Sequence, residues 1–220
     1  MVRSGAPPAH ERGSTRVVDS IRFDVPGSDP RALTKVLMSA VVPRPIGWIS
    51  SVDADGTPNL APFSFLNLLA SDVPTFYVAT AGRRGGGAKD TLANARATGE
   101  IVAHIVDELH AEAMNRSSAE VTPDIDEFAL AGVRAVLSSV VRAPRVASAA
   151  VTIEARVLSI LPIEGSAYSA IIARALCLHV RSDLMTADGF IDPNRLRPLA
   201  RLGSDLYTTL GRVFPMTRPS

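Results

Sequence analysis

The feature that most constrains the fold of this chain is a hairpin signal at Asp55-Gly56. An Asp-Gly pair between two β-rich runs favours a tight antiparallel turn, and the runs here cover residues 46–52 and 59–65. Pro62 has no amide hydrogen to donate, so the second run is expected at a sheet edge or at a bulge. The sequence therefore predicts an antiparallel hairpin early in the folded region.

Further β-rich runs follow this hairpin, and the helical patterns between them are short. The runs cover residues 75–80, 101–106, 151–157 and 171–181. Within residues 151–157, apolar and polar residues alternate, as in a strand with one solvated face. Because the βαβ alternation of a parallel sheet is missing, we predict a mainly β fold with short helices, in the form of a closed antiparallel barrel.

Short helices are expected around the strands. Asp29 is a favourable N-cap for the first of them. A second helix is predicted over residues 91–98, where Asp90 is expected to cap the start and Gly99 to end the last turn. Residues 107–115 are predicted to form another short helix.

Length, charge and cysteine content limit the classes of protein to consider. The 220 residues carry 23 basic and 22 acidic side chains, a formal net charge of +1. This balance provides no field that favours nucleic acid or an anionic membrane, and no apolar run approaches the ~20 residues that span a bilayer. We predict a disordered tail over residues 1–20 and a single domain over residues 21–220. The only cysteine, Cys177, excludes an intramolecular disulfide, and without a visible secretory signal a cytoplasmic location is expected.

The glycine-rich segment 82–87 raises the question of a nucleotide-binding P-loop. Such a loop ends in Gly-Lys-Ser/Thr, but here Ala88 precedes Lys89, and Asp90 stands where the hydroxyl is required. What remains is a lysine near Thr91 at a predicted helix start, where free N–H groups and the helix dipole favour a phosphate. Taken alone, these residues also fit a solvated lysine beside an ordinary capped helix.

Residue constellations typical of hydrolases and metalloenzymes are missing from the sequence. The histidines are dispersed: His10 in the tail, His104 and His179 in separate β runs, and His110 on a predicted helix surface. There is no Gly-x-Ser-x-Gly elbow. Cys177 lies within an apolar run and is expected to be an inert core thiol. We therefore predict neither a metal site nor a catalytic acid or base.

Residues 43–67 place small hydroxyls and an amide beside aromatic rings. The predicted hairpin brings the two ends of this segment near one another. A flat heteroaromatic ligand suits such a surface, because the backbone and Asn67 can meet its ring-edge donors and acceptors while apolar groups cover one face. A hairpin whose aromatic residues fill the core remains an equal alternative at this stage.

Several stretches of the sequence form an ordered set of motifs. They are residues 44–50 (RPIGWIS), the turn 53–56 (DADG), residues 59–67 (NLAPFSFLN), 89–94 (KDTLAN), 113–118 (AMNRSS), and 201–203 (RLG) followed by Tyr207. This set resembles the flavin reductase-like family, and more narrowly its branch of flavoredoxins and reductase components of nitrilotriacetate-type monooxygenases. The resemblance covers about residues 22–214, and the stretches occur in the order expected for the family.

The resemblance implies a split antiparallel β-barrel that binds FMN without a covalent link. It also implies a homodimer with the flavin near the subunit interface. Each part of the cofactor has its own implied contacts. They are Ser50 and Ser51 along the ribityl-phosphate side; Ser64, Phe65 and Asn67 at the isoalloxazine edge; Lys89, Asp90 and Thr91 at the phosphate; and Ser117 and Ser118 as additional binding residues.

The function implied is that of a flavin reductase, an NAD(P)H:FMN oxidoreductase that transfers hydride from a nicotinamide nucleotide to FMN. It would supply reduced flavin to a partner flavin-dependent monooxygenase. The cofactor carries the difficult chemistry in such enzymes, so the lack of a catalytic residue constellation agrees with activity. Two alternatives stay open: a non-enzymatic FMN protein that transfers electrons, and an oxidase or oxygenase of an organic substrate. The sequence does not distinguish NADH from NADPH.

Overall fold

The computed structural model describes residues 19–83, 86–122 and 125–219. Within these ranges the helices are α1 (Pro30–Ala40), α2 (Asp90–Thr98), α3 (Ala111–Arg116), α4 (Glu127–Ala131) and α5 (Pro193–Leu196). The strands are β1 (Arg44–Pro45), β2 (Gly47–Val52), β3 (Pro58–Phe63), β4 (Leu66–Ala70), β5 (Thr75–Thr80), β6 (Glu100–Ile105), β7 (Ala135–Val136), β8 (Arg145–Val146), β9 (Val151–Pro162), β10 (Ser169–Val180), β11 (Ala200–Arg201) and β12 (Tyr207–Thr208). The predicted tail, residues 1–20, lies outside the described residues apart from its last two positions.

A seven-stranded antiparallel sheet forms the body of the structure. Its strands lie in the order β3-β2-β6-β9-β10-β5-β4, so β3 and β4 are its two edges. Only Ser64 and Phe65 separate the end of β3 from the start of β4. Because so short a connection spans at most ~10 Å, the two edges meet at this point, although β3 and β4 are not hydrogen-bonded neighbours in the sheet. The sheet is therefore a barrel that is split between its edge strands.

The predicted hairpin is confirmed as the β2–β3 pair. Its turn places Gly56 at a φ of 94°, a left-handed conformation that glycine adopts without strain. Pro62 lies opposite Trp48 on the edge strand, as its missing amide hydrogen requires. The second strand ends at Phe63, earlier than residue 65, because the chain turns there into β4.

The predicted helix positions are close to those observed. The Asp29 side chain accepts the N–H of Arg31 at the start of α1, over 3.0 Å. Gly99 ends α2 in a left-handed conformation, with a φ of 71°. The segment predicted as a helix over residues 107–115 is a short 3₁₀ turn followed by α3.

Two apolar clusters lie on opposite sides of the sheet near β2. Trp48 and Ile49 are consecutive and point to opposite faces, as strand geometry requires, and each is buried. Ile49 belongs to the barrel interior, which α2 closes with Leu92. Trp48 belongs to an outer cluster covered by α3 and α4, where it joins Phe128. The helices thus cover the barrel beside the β2–β3 hairpin.

The prediction of a mainly β fold with short helices and a split antiparallel barrel is confirmed. Short ladders supplement the barrel: β1 pairs with β11, β11 with β12, and β7 with β8. In the part of the chain that the structure describes, no helix combines the length and the apolar character needed to traverse a bilayer.

Candidate functional site

A cavity of about 320 Å³ lies where β3, the start of α2, the segment after α3 and the start of α4 meet. Its wall combines cationic, carboxylate and hydroxyl side chains with a small apolar patch from the edge strand. The lining residues are Asn59, Ala61, Pro62, Arg83, Lys89, Asp90, Thr91, Ser117, Ser118, Ala119, Glu120, Val121, Thr122 and Glu127. Five of the residues predicted to bind a ligand are therefore brought together here.

The start of α2 is the part of the cavity wall best suited to an anion. Lys89 occupies the N-cap position, and no side chain accepts a capping hydrogen bond there. The first N–H groups of a helix have no intrahelical acceptor and carry the positive end of its dipole. Lys89 adds a full positive charge, and its Nζ lies 5.8 Å from the centre of the Phe63 ring. A phosphate is the ligand class that such a helix start favours.

Thr91 is held in the wall by a buried network of amides and hydroxyls. Asn59 Nδ2 donates to Thr91 Oγ1 over 2.9 Å, and Asn94 Nδ2 donates to Ser51 Oγ over 3.1 Å. Asn59 Nδ2 also lies 3.5 Å from Ser51 Oγ. Ser51 is fully buried and does not line the cavity, and it supports the lining residue Asn59 from behind.

Asp90 does not cap α2, and that prediction is wrong. It is the first residue of the helix rather than its N-cap, and its carboxylate forms an ion pair with the guanidinium of Arg83. The ion pair neutralises a carboxylate that would otherwise repel an anion at the helix start. Arg83, which the sequence did not assign to a role, thus belongs to the cavity wall.

Ser117 and Ser118 form the opposite side of the cavity, just after α3. Trp48 Nε1 donates to Ser117 Oγ over 2.8 Å, and that hydroxyl donates in turn to the carbonyl of Met114. Ser118 is exposed, and its hydroxyl donates to the Asn115 carbonyl over 2.6 Å. Ser117 is therefore fixed by the core, whereas Ser118 presents its hydroxyl at the surface.

The other predicted residues lie outside the cavity lining. Ser50 is fully buried and donates to the carbonyl of Pro144. Ser64 and Phe65 form the link between the barrel edges, two and three residues after the lining residue Pro62. Asn67 is exposed on β4.

Phe65 is positioned by contacts on several sides. Its carbonyl accepts the N–H of Ala79 over 2.8 Å. The Arg44 guanidinium lies 5.8 Å from the centre of the Phe65 ring, and the ring of Tyr168 is at the same centroid distance. These contacts hold Phe65 in the link between β3 and β4, three residues after the lining residue Pro62.

Glu127 is a wall residue that the sequence did not indicate. It is 6 % exposed, and its Oε2 accepts the N–H of Leu60 over 3.3 Å. Burial raises the pKa of Glu127, and the carboxylates of Asp90 and Asp126 raise it further. Local sequence carries no signal for this contact, because Glu127 and Leu60 are 67 residues apart.

The histidines described by the structure lie away from the cavity lining. His104 is fully buried; its Nδ1 is 2.7 Å from the Trp48 carbonyl, and its Nε2 accepts the Val146 N–H over 3.0 Å. Burial lowers the pKa of His104 to about 4. Cys177, predicted as a core thiol, is only partly buried, because the register of β10 against β9 shifts between Ala175 and Cys177, beyond the buried Ile171 and Ala173. That prediction is wrong.

The fold and the cavity define a split-barrel protein with a site suited to a phosphate-bearing ligand. Residues 38–198 match the family described as the flavin reductase like domain. The chain belongs to this flavin reductase-like family.

Known proteins similar to this chain include sequence relatives and solved structures. An uncharacterized protein of Halalkalibacterium halodurans is 36% identical over 190 residues, which cover 84% of this chain and 90% of that protein. The crystal structure of nitrilotriacetate monooxygenase component B from Bacillus cereus is 29% identical with a TM-score of 0.86, covering 91% of this chain and 100% of that one. Flavoredoxin of Desulfovibrio vulgaris shares the fold at 20% identity and a TM-score of 0.70. The match covers 80% of this chain and 91% of the flavoredoxin chain. The predicted resemblance to this branch of the family is confirmed.

Proposed function

We propose that this protein is a flavin reductase that binds FMN and transfers hydride to it from NADH or NADPH. The observation that carries the proposal is the position of Lys89 at the uncapped start of α2, inside a cavity lined by hydroxyl groups. Membership of the flavin reductase-like family supports the redox part of the proposal.

The residues of the cavity fit the phosphate end of FMN. Lys89 would bind the phosphate as a point charge, and the free N–H groups of the first turn of α2 would donate to its oxygens. Thr91 and Ser118 offer hydroxyls on opposite sides of the same space. The Arg83–Asp90 ion pair holds the nearest carboxylate at the helix start away from the anion.

The size of the cavity supports a location for the flavin ring outside it. Ligand pockets typically measure 300–1,000 Å³, and this one, at about 320 Å³, suits the phosphate and ribityl chain. Beyond its apolar end, at Pro62, lie Phe65 and Asn67 at the split of the barrel. There Phe65 would contact the ring, and Asn67 would hydrogen-bond to its polar edge.

This chain contributes binding and orientation rather than proton transfer. When bound, FMN supplies a ring that accepts a hydride from a nicotinamide nucleotide and passes the electrons on. Lys89 and Thr91 would fix one end of the ligand, and Phe65 and Asn67 the other. Fixing both ends restricts the ring to one orientation, and such orientation accounts for much of the rate in hydride transfer. The proposed mechanism therefore requires no histidine or carboxylate near the ring.

A homodimer is part of the same proposal. The edge strand β4 exposes Leu68 and Leu69, at 68 % and 53 % of their surfaces, beside Asn67. Exposed edge strands with apolar side chains are usually covered in native proteins. A second copy of this chain on β4 would bury these leucines and close the open face of the ring site. Light scattering with FMN present should report about twice the 23.3 kDa chain mass, and a monomer across micromolar concentrations would contradict this part.

A partner flavin-dependent monooxygenase, supplied with reduced FMN, is the acceptor that we propose. Its support is the 29% identity to a protein named as component B of nitrilotriacetate monooxygenase. NAD(P)H as the reductant and a single cysteine both favour a cytoplasmic location.

Steady-state oxidation of NADH and NADPH with added FMN tests the proposed reductase activity. We expect FMN-dependent oxidation of at least one nucleotide by the purified protein, and loss of activity in Lys89→Ala at low FMN. Tight FMN binding without oxidation of either nucleotide would instead favour a non-enzymatic electron-transfer protein. Absence of FMN binding below millimolar concentrations would contradict the proposal altogether.

A further inference from the structure

A second cluster of chemically active side chains lies on β9 and β10, apart from the cavity lining. Cys177 on β10 is paired in register with Glu154 on β9. His179 follows Cys177 by two residues and therefore lies on the same face of the strand. The strand pairing that joins residues 154 and 177 has no local signature in the sequence.

The three side chains present one potential metal ligand each, at mutually close positions. His179 Nε2 lies 2.7 Å from Glu154 Oε1, and Cys177 Sγ lies 3.5 Å from the same nitrogen. The three ligand atoms all lie within 4.8 Å of one another. In a tetrahedral zinc site, metal–ligand distances of 2.0–2.3 Å place neighbouring ligand atoms about 3.3–3.8 Å apart. Small side-chain rotations would therefore bring all three ligands to one ion.

The carboxylate of this cluster is already held in place by the backbone. Glu154 is fully buried, and it accepts the N–H of Ser139 over 2.8 Å and the N–H of Val140 over 2.7 Å. Hydrogen bonds of this kind orient metal ligands and are part of most protein metal sites. Cys177 and His179 are partly exposed, so an ion can reach them from solvent.

We propose that Glu154, Cys177 and His179 form a binding site for a thiolate-preferring divalent transition-metal ion such as zinc. Thiolate, imidazole and carboxylate are the ligand types that Zn²⁺ combines in proteins. Water would occupy the fourth position, near the Ser139 hydroxyl, which lies 3.4 Å from His179 Nε2. The site does not depend on the proposed flavin chemistry.

Charge and proton balance determine which ions this site can hold. Metal binding releases the Cys177 thiol proton to solvent, and the neutral His179 ring keeps its proton on Nδ1 while Nε2 binds the ion. One carboxylate and one thiolate then balance a divalent charge. Arg145 Nε lies 3.5 Å from Glu154 Oε1. Because this guanidinium repels any cation at the site, an ion that is held only by electrostatic attraction to the carboxylate is disfavoured. The site should therefore select zinc or cobalt over magnesium and calcium, which prefer oxygen ligands.

Titration of the purified protein with Co²⁺ tests the site, because the chain contains a single cysteine. Any cobalt–thiolate charge-transfer band must then arise from Cys177. We expect this band, together with visible d–d bands of tetrahedral cobalt, to saturate at one equivalent and to disappear when Zn²⁺ is added. Difference spectra remove the absorbance of any bound flavin.

Matched variants separate a metal site from a structural hydrogen-bond cluster. Cys177→Ser should abolish the charge-transfer band, and His179→Ala should weaken Co²⁺ affinity at least about tenfold, with native circular dichroism in both. His110→Ala, which changes a histidine elsewhere, should leave the titration unchanged. Absence of the charge-transfer band in the parent protein, or a band that His179→Ala leaves unaltered, would overturn the proposal.

Discussion

Asn59 on the edge strand β3 donates a hydrogen bond to Thr91 in the first turn of α2, over 2.9 Å. Both residues are buried. The bond fixes the helix start, which carries Lys89, against the edge of the barrel. The helix start at which we propose that a phosphate binds is therefore held in place by a barrel strand.

Replacement of Lys89 should weaken FMN binding specifically through the phosphate. Lys89→Ala should cost about 1.5–3 kcal/mol of FMN binding free energy, as expected for a charged hydrogen bond. Riboflavin, which lacks the phosphate, should bind both proteins with similar affinity. The other lysine, Lys35, is exposed on α1 and provides the matched control. Fluorescence titration measures these affinities, and an equal loss for riboflavin and FMN would contradict the phosphate assignment.

Replacement of Glu127 should strengthen FMN binding in a pH-dependent way. Its raised pKa means that the carboxyl is protonated and neutral at low pH and becomes charged as the pH rises through that value. Above it, the carboxylate repels the phosphate, so Glu127→Gln should bind FMN about fivefold more tightly, since such a charge contact is worth about 1 kcal/mol. At a pH low enough to protonate Glu127, the two proteins should bind FMN with similar affinity. Weaker FMN binding by the variant at every pH would contradict this role.

Protonation of His104 should make the fold sensitive to acid. The pKa of His104 in the folded protein is about 4, against 6.5 for the free side chain. Between these values the unfolded chain binds a proton that the folded chain excludes, so stability is unaffected above pH 6.5 and falls as the pH drops toward 4. The loss attributable to this group is roughly 3 kcal/mol. Urea unfolding at several pH values in this range should show that His104→Gln loses less free energy of unfolding on acidification than the parent protein. An equal loss in the two proteins would contradict the assignment.

Replacement of Asn67 should affect the flavin more than replacement of His110 or His179. Asn67→Leu should shift the absorbance of bound flavin and slow its reduction, because a hydrogen bond to the polar ring edge is lost. His110→Ala and His179→Ala should each keep turnover within about tenfold of the parent, whereas loss of a general acid or base typically costs ~10²–10⁴-fold. Stopped-flow reduction at saturating FMN distinguishes these cases. A histidine variant that keeps its flavin but loses three orders of magnitude would contradict an orientation-based mechanism.

The elements that the sequence predicted correctly are those determined by a few neighbouring residues. The Asp55-Gly56 turn and the Gly99 helix end both follow from backbone preferences within a few residues. The sequence also predicted a helix start near Lys89 and Thr91, and both residues lie at the start of α2.

Contacts between distant residues were not predictable in this way. Glu127 lies in the wall because α4 packs on β3, and Arg44 pairs with Arg201 across a ladder that joins opposite ends of the chain. Asp90 was assigned the wrong contact because its ion-pair partner, Arg83, lies in a loop whose conformation the sequence does not specify. Cys177 was misplaced because an apolar run alone does not show which face of β10 points inward.

The central claim is that this chain binds FMN and passes hydride to it. Its most direct test is anaerobic stopped-flow mixing of the FMN-loaded protein with NADH and, separately, with NADPH. We expect at least one nucleotide to bleach the absorbance of the oxidised bound flavin far faster than that of free FMN, with a rate that saturates as the nucleotide concentration rises. Bleaching no faster than in free FMN with both nucleotides, under conditions where the protein demonstrably holds its flavin, would contradict it.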